Sequence, residues 1–159
     1  MAPRVGIGYD SLRLEEGESL VLGGVEIEHD RGLAGHSDAD VLTHAVIDAL
    51  LGAAALGDIG QHFPDTDERY RDADSMLLLR TVVATLAEQG LAVVHVDATV
   101  VMERPKLAPH RDAIRASLAG VLAVTPEHVN VKASTGEGMG FVGRGEGVAA
   151  LAVATVRRT

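Results

Sequence analysis

Residues 37–57, SDADVLTHAVIDALLGAAALG, carry the reading on which the fold turns. Ser37 followed by Asp38, Ala39 and Asp40 resembles an N-cap with an acidic first turn, the arrangement that satisfies the free N–H groups at a helix start. Val41, Ala45, Ile47 and Leu51 then recur at helical spacing toward Gly57, a residue suited to a helix end. Four-residue steps along this helix place Asp40, His44 and Asp48 on one face. A histidine beside carboxylates can ligate a metal while a carboxylate orients its second ring nitrogen. The same spacing also describes an exposed polar face with an incidental histidine.

Upstream, residues 5–9 read as a short strand, and Asp10 follows the run Gly6-Ile7-Gly8-Tyr9 as a strand-end carboxylate, either a ligand or a turn residue. Residues 19–22 and 25–28 read as a hairpin joined by Gly23-Gly24. His36 and Ser37 sit just before the helix, where free N–H groups and the dipole favour a phosphate; plain N-capping by Ser37 is the alternative. Downstream, residues 61–72 form a polar loop, followed by a helix capped near Asp74 or Ser75 and stopped by Gly90. Residues 93–102 alternate as a strand, and Pro109 opens a helix to about Leu122. Residues 129–134 and 147–157 read as the last two strands. This order predicts an α+β fold, a single mixed β-sheet with helices packed on one face, in one domain over residues 1–159.

A chain of 159 residues, 47% of them hydrophobic, can bury one real core. With two Phe, two Tyr and no Trp, that core is aliphatic and offers no base-stacking platform. A net charge of −9 repels a nucleic-acid backbone. An anionic ligand would need local positive potential from metal ions, helix N-termini and placed cations, and Lys106 and Lys132 are the only lysines. The lack of cysteine leaves His and carboxylates as the ligands for any transition metal. No leader and no apolar stretch of membrane-spanning length is visible, so a cytoplasmic protein with neither membrane nor nucleic-acid partner is expected.

Two glycine-rich stretches remain. Ser134-Thr135-Gly136-Glu137-Gly138-Met139-Gly140 lacks the Gly-Lys-Ser/Thr ending of a Walker loop and reads alone as a flexible turn. Gly143-Arg144-Gly145-Glu146-Gly147 interleaves an opposite-charge pair with glycines, as either an exposed turn or tight packing around two ionised groups.

In order, the segments AGHSDAD (34–40), DALLGAAALGDIG (48–60), FPDTD (63–67), RPK (104–106), NVKA (130–133) and GRGEG (143–147) resemble the 2-C-methyl-D-erythritol 2,4-cyclodiphosphate synthase family of the non-mevalonate isoprenoid pathway. The resemblance spans the chain. It implies a homotrimer with an active site at each subunit boundary, where 4-diphosphocytidyl-2-C-methyl-D-erythritol 2-phosphate is cyclised with release of CMP. His36, Thr135 and Glu137 correspond to catalytic positions. Asp10 and His44 correspond to two of the three ligands of the family's zinc, and Glu137 to the ligand of a second divalent ion, Mg or Mn, between the substrate phosphates. Asp10, His36, Ser37, Asp58, Gly60, Phe63, Asp65 and Asp67 match the surroundings of the methylerythritol phosphate. Pro105, Lys106, Ala133, Ser134 and Thr135 match those of the cytidine phosphates. Phe141 and Arg144, with Glu146, resemble residues at a trimer-axis cavity that holds an isoprenoid diphosphate in some members.

Two departures stand out. The family's Asp-x-His becomes Asp10-Ser11-Leu12, so an apolar side chain occupies the third ligand position. That loss should cost at least about 1.4–2.8 kcal/mol of metal affinity, with His36 a substitute ligand. Gly136 stands where threonine is usual, which predicts a looser loop around Glu137. Besides the synthase reading, an impaired trimer binding isoprenoid diphosphates through Arg144, or a metal-dependent phosphohydrolase, fits these departures.

Overall fold

Along the first strand, β1 (Arg4–Glu16), alternate residues turn inward: Gly6, Gly8 and Leu14 are buried and Asp10 and Leu12 half-buried, while Val5, Ile7, Tyr9, Ser11 and Arg13 are exposed. The computed structural model describes residues 2–159, leaving Met1 outside it. β1 extends well past the expected residues 5–9 because it pairs with the last strand, β7 (Gly147–Arg158), from Arg4 opposite Val156 to Arg13 opposite Gly147. Ladder hydrogen bonds thus keep the polar stretch after Tyr9 extended, and Asp10 lies within the strand, at neither its end nor a turn.

The five-stranded sheet has the order β4-β1-β7-β5-β6, with β4 at Arg31–Leu33, β5 at Leu91–Val101 and β6 at Val129–Ser134. All pairs are antiparallel except β5 with β6. A parallel pair needs a crossover, and here it contains a 3-10 turn at Ala108–His110 and α4 (Arg111–Leu122). Pro109 therefore sits in the turn before α4, not in its first turn. The expected hairpin forms as β2 (Leu20–Leu22) and β3 (Val25–Ile27), with Gly23 at φ 59 and Gly24 at φ 78 making the tight turn. It stands apart as a two-stranded sheet, so the expectation of one sheet holds only for the other five strands.

The decisive helix, α1 (Val41–Ala54), is capped by Asp40, not Ser37, and ends at Ala55, which takes a left-handed conformation two residues before Gly57. Eleven of its fourteen residues are buried, so it is the interior helix of the domain, with no broad polar face. It packs on β1 and β7, and α3 (Ser75–Glu88, capped by Asp74) packs against it. Contact with β1 is possible only because of two glycines: a Cβ on Gly6 would lie 2.0 Å from the Ala49 carbonyl oxygen, and one on Gly8 1.8 Å from that of Ala45.

The expected loop over residues 61–72 contains the end of α2 (Ile59–His62) and a 3-10 turn, Glu68–Tyr70; a further short helix, α5, covers Gly140–Gly143. Opposite the helices, the face of the sheet is apolar and open. Ile7 pairs across strands with Val153, and Tyr9 with Leu151, and all four are exposed. Among the described residues no helix is long and apolar enough to cross a membrane.

Candidate functional site

With Gly6 and Gly8 admitting the backbone of α1, His44 comes to rest against Asp10. His44 Nδ1 lies 3.0 Å from Asp10 Oδ2, and its Nε2 lies 2.9 Å from Ser75 Oγ and 3.0 Å from Ser37 Oγ. Ser75 is fully buried; its hydroxyl donates to Asp38 Oδ1, and its N–H donates to Asp38 Oδ2 at 3.0 Å. A serine hydroxyl has one proton. With that proton committed to Asp38, Ser75 Oγ cannot also donate to His44, whereas the Ser37 hydroxyl can donate to Nε2 while Nδ1–H donates to Asp10. An imidazole nitrogen and a carboxylate oxygen 3.0 Å apart can share a proton or, with the ring nitrogen deprotonated, hold a metal ion. Burial pulls the His44 pKa down, but the hydrogen bond and charge of Asp10, with the charges of Asp40 and Asp38, more than offset it, so the value lies above the ordinary 6.5.

Asp40 and Asp48 do not join this pair. An N-cap lies outside the helical periodicity, and Asp40 turns instead to the hairpin, where Oδ1 accepts from Gly23 at 2.9 Å and Thr43 at 3.0 Å and Oδ2 from Gly24 at 2.8 Å. Its complete burial raises its pKa against the opposing pull of those N–H groups. A buried carboxylate thus caps the start of α1. Asp48 accepts from the Ile59 N–H at 2.7 Å, tying α2 to α1, and burial raises its pKa too.

Around the pair lies a cleft of about 500 Å³, lined by Asp10, Leu12, Gly35, His36, Ser37, His44, Asp48, Ile59, Gly60, Phe63, Pro64, Asp65, Tyr70 and Leu78. Of the residues matched to the methylerythritol phosphate, Asp58 and Asp67 are not in its wall. Asp58 caps α2 through the Gln61 N–H. The Asp67 carboxylate is held by Arg69 at 2.7 Å, which keeps its pKa below the usual carboxylate range. Leu12 lines the cleft and supplies no donor. His36 lines the same cleft with its Nε2 bonded to the Asp67 carbonyl at 3.0 Å, and it does not complete a three-ligand group with Asp10 and His44. Among the described residues no group of three or more His, Cys, Asp or Glu comes together that could hold a metal.

A second cleft of about 230 Å³ lies at the C-terminal ends of β5 and β6, between Met102, Glu103, Pro105, Lys106, Leu107, Ala108, Arg111, Ala133, Ser134 and Thr135. It shares no residue with the first. Glu137 follows it, exposed and at φ 54, with its N–H donated to Thr135 Oγ1 at 3.2 Å. The loop is fastened, contrary to the looseness expected from Gly136: Glu103 accepts the Gly136 N–H, and a Cβ at Gly136 would lie 2.8 Å from the Gly143 nitrogen. Lys132 pairs with Asp97 at 2.9 Å and lines neither cleft. Arg144 meets Glu146 at 3.2 Å and borders a third cleft with Arg31 and Arg104, while Phe141 borders a fourth with Leu12 and Arg13. The sequence reading missed Ser75, Asp38 and Arg111. Ser75 had shown only a helix-cap signal, and its contact with His44 exists only once α3 packs on α1.

Residues 3–157 match the YgbB family. The chain is similar to the 2-C-methyl-D-erythritol 2,4-cyclodiphosphate synthase of Salinibacter ruber, at 62% identity covering 97% of this chain and 98% of that one. Among solved structures, it resembles a CDP-bound 2C-methyl-D-erythritol-2,4-cyclodiphosphate synthase at 38% identity and a TM-score of 0.89, covering 97% of this chain and 100% of the other. It also resembles the bifunctional IspDF of Campylobacter jejuni, at 39% identity and a TM-score of 0.96, covering 99% of this chain and 43% of that longer one.

Proposed function

The chain belongs to the YgbB family, a family of phosphorus–oxygen lyases of isoprenoid synthesis, and on that premise we propose that it converts 4-diphosphocytidyl-2-C-methyl-D-erythritol 2-phosphate to the 2,4-cyclodiphosphate, releasing CMP. The observation that carries this reading is the His44–Asp10 pair, an imidazole nitrogen 3.0 Å from a carboxylate oxygen on the wall of a cleft of about 500 Å³.

The family implies a divalent metal, and one carboxylate oxygen with one imidazole nitrogen is a donor set that suits zinc. Bound by Asp10 and His44, such an ion would neutralise charge on the substrate phosphates; Glu137 is the proposed ligand of a second ion, magnesium or manganese. The chain's own residues do the rest. His36, Ser37, Gly60, Phe63 and Asp65 line the cleft proposed for the methylerythritol phosphate, and Asp58 and Asp67 hold its wall in shape. Pro105, Lys106, Ala133, Ser134 and Thr135 take the cytidine phosphates. The substrate's 2-phosphate oxygen attacks the β-phosphorus, and the bond from that phosphorus to the CMP oxygen breaks. No protein nucleophile is needed, so positioning and charge neutralisation carry the rate.

Two clefts with no residue in common, together with the open apolar pairs Ile7–Val153 and Tyr9–Leu151, support a homotrimer in which one chain's metal cleft meets its neighbour's nucleotide cleft. Exposed Arg144 and Phe141 then face the trimer axis, where an isoprenoid diphosphate is a further proposed ligand. We further propose that residues 1–159 act as one cyclodiphosphate synthase-like domain in the cytoplasm. Incubation of the purified chain with this substrate, zinc and magnesium should release CMP; inorganic phosphate as product would favour a phosphohydrolase, and no turnover would refute the lyase assignment.

A further inference from the structure

We propose that Arg111 is a nucleotide-contacting residue of the second cleft, donating from its guanidinium to an oxygen of the cytidine nucleotide. The assignment rests on the synthase reading of that cleft. Arg111 Nε is buried and has no hydrogen-bond partner, the only side-chain atom in that state among the described residues. One turn along the same helix, Arg115 shows how a structural arginine is used there. It donates to the Val129 carbonyl at 2.8 Å and the Pro126 carbonyl at 2.9 Å, and it approaches Asp112. A buried donor without an acceptor is destabilising, and folded chains keep few of them.

Its place in the helix adds to that cost. Arg111 is the first residue of α4, whose N-cap, His110, makes no side-chain hydrogen bond. A cation there faces the positive end of the helix dipole. Both features disfavour a structural role, and an acceptor-rich ligand in the cleft relieves both. The cleft suits such a ligand: Lys106 and the hydroxyls of Ser134 and Thr135 line it with Arg111, and its one carboxylate, Glu103, is turned to the Gly136 N–H.

The test is calorimetric titration of CDP, CMP and cytidine into the full chain, Arg111→Leu and Arg111→Lys. Charge-assisted hydrogen bonds predict that Arg111→Leu weakens CDP binding about ten-fold or more, with Arg111→Lys recovering part of the loss. A loss confined to CDP and CMP places the guanidinium on a phosphate; an equal loss for all three places it on the base or ribose. The ligand-free thermal midpoint of Arg111→Leu should equal or exceed that of the wild type, which a structural role would not give. Unchanged CDP affinity in folded Arg111→Leu would overturn the assignment. A wild type without affinity for CDP would overturn the nucleotide reading of the cleft, and the assignment with it.

Discussion

Replacing Leu12 by histidine should raise zinc affinity about 10- to 100-fold, equivalent to about 1.4–2.8 kcal/mol. The alternation of β1 puts residue 12 on the same side of the sheet as Asp10, about 7 Å further along, and both line the cleft that contains His44. A histidine there would add a nitrogen donor to a carboxylate and an imidazole that now stand alone. The substitution also removes a half-buried leucine that packs against the core. At roughly 25 cal/mol per Å² of apolar area, that loss should lower metal-free stability by about 1 kcal/mol. Zinc should reverse the order: a site binding 10–100 times more tightly adds about 1.4–2.8 kcal/mol at saturating metal, enough to place the variant above the wild type. Competition against a chromophoric chelator gives the affinities, and thermal melts with and without zinc give the crossover. Ser11→His serves as control, since residue 11 points to the open face and should change nothing. Equal zinc affinity in Leu12→His and wild type would refute the placement of residue 12 in the ligand sphere.

Gly8→Ala would drive a methyl group into the Ala45 carbonyl, 1.8 Å from where the Cβ must lie. Chemical denaturation should show a loss of about 1–3 kcal/mol, and zinc affinity should fall as α1 is pushed from Asp10. Ser75→Ala removes one of the two hydroxyls that hold the His44 ring and should weaken zinc binding about 10- to 100-fold while leaving Asp10 and His44 in place. Because the folded His44 pKa is raised above 6.5, its ion pair with Asp10 is fully present below that pH and is lost as pH rises through the folded value. Metal-free protein should therefore lose this stabilisation across that window, as thermal melts will show, while zinc affinity rises because the metal needs the neutral ring; Asp10→Asn should flatten the stability trend.

The elements legible in the sequence are those whose cause is local. The glycine pair at 23 and 24, the apolar period of residues 41–51, a cap near Asp74 or Ser75 and the strand at 129–134 were all readable from neighbours along the chain. The extension of β1 to Glu16 was not, because Ser11 and Arg13 carry no strand signal and are held by pairing with β7, more than a hundred residues away. The three-residue strand β4 is likewise made by its partner, with Leu33 opposite Leu14. In the site, Asp10 and His44 were legible only together with the other motifs of the family. Ser75 and Asp38 came from the packing of α3 on α1. Asp40 was misread because periodicity assigns it to the His44 face, whereas three backbone N–H groups hold its carboxylate on the other side.

Cyclisation consumes no water, whereas every hydrolytic alternative does. Turnover of the authentic substrate by the wild-type chain in oxygen-18 water, followed by phosphorus-31 NMR, therefore tests the central claim most directly. The account predicts equimolar CMP and cyclodiphosphate, neither carrying the label; oxygen-18 in CMP or in released phosphate would contradict it.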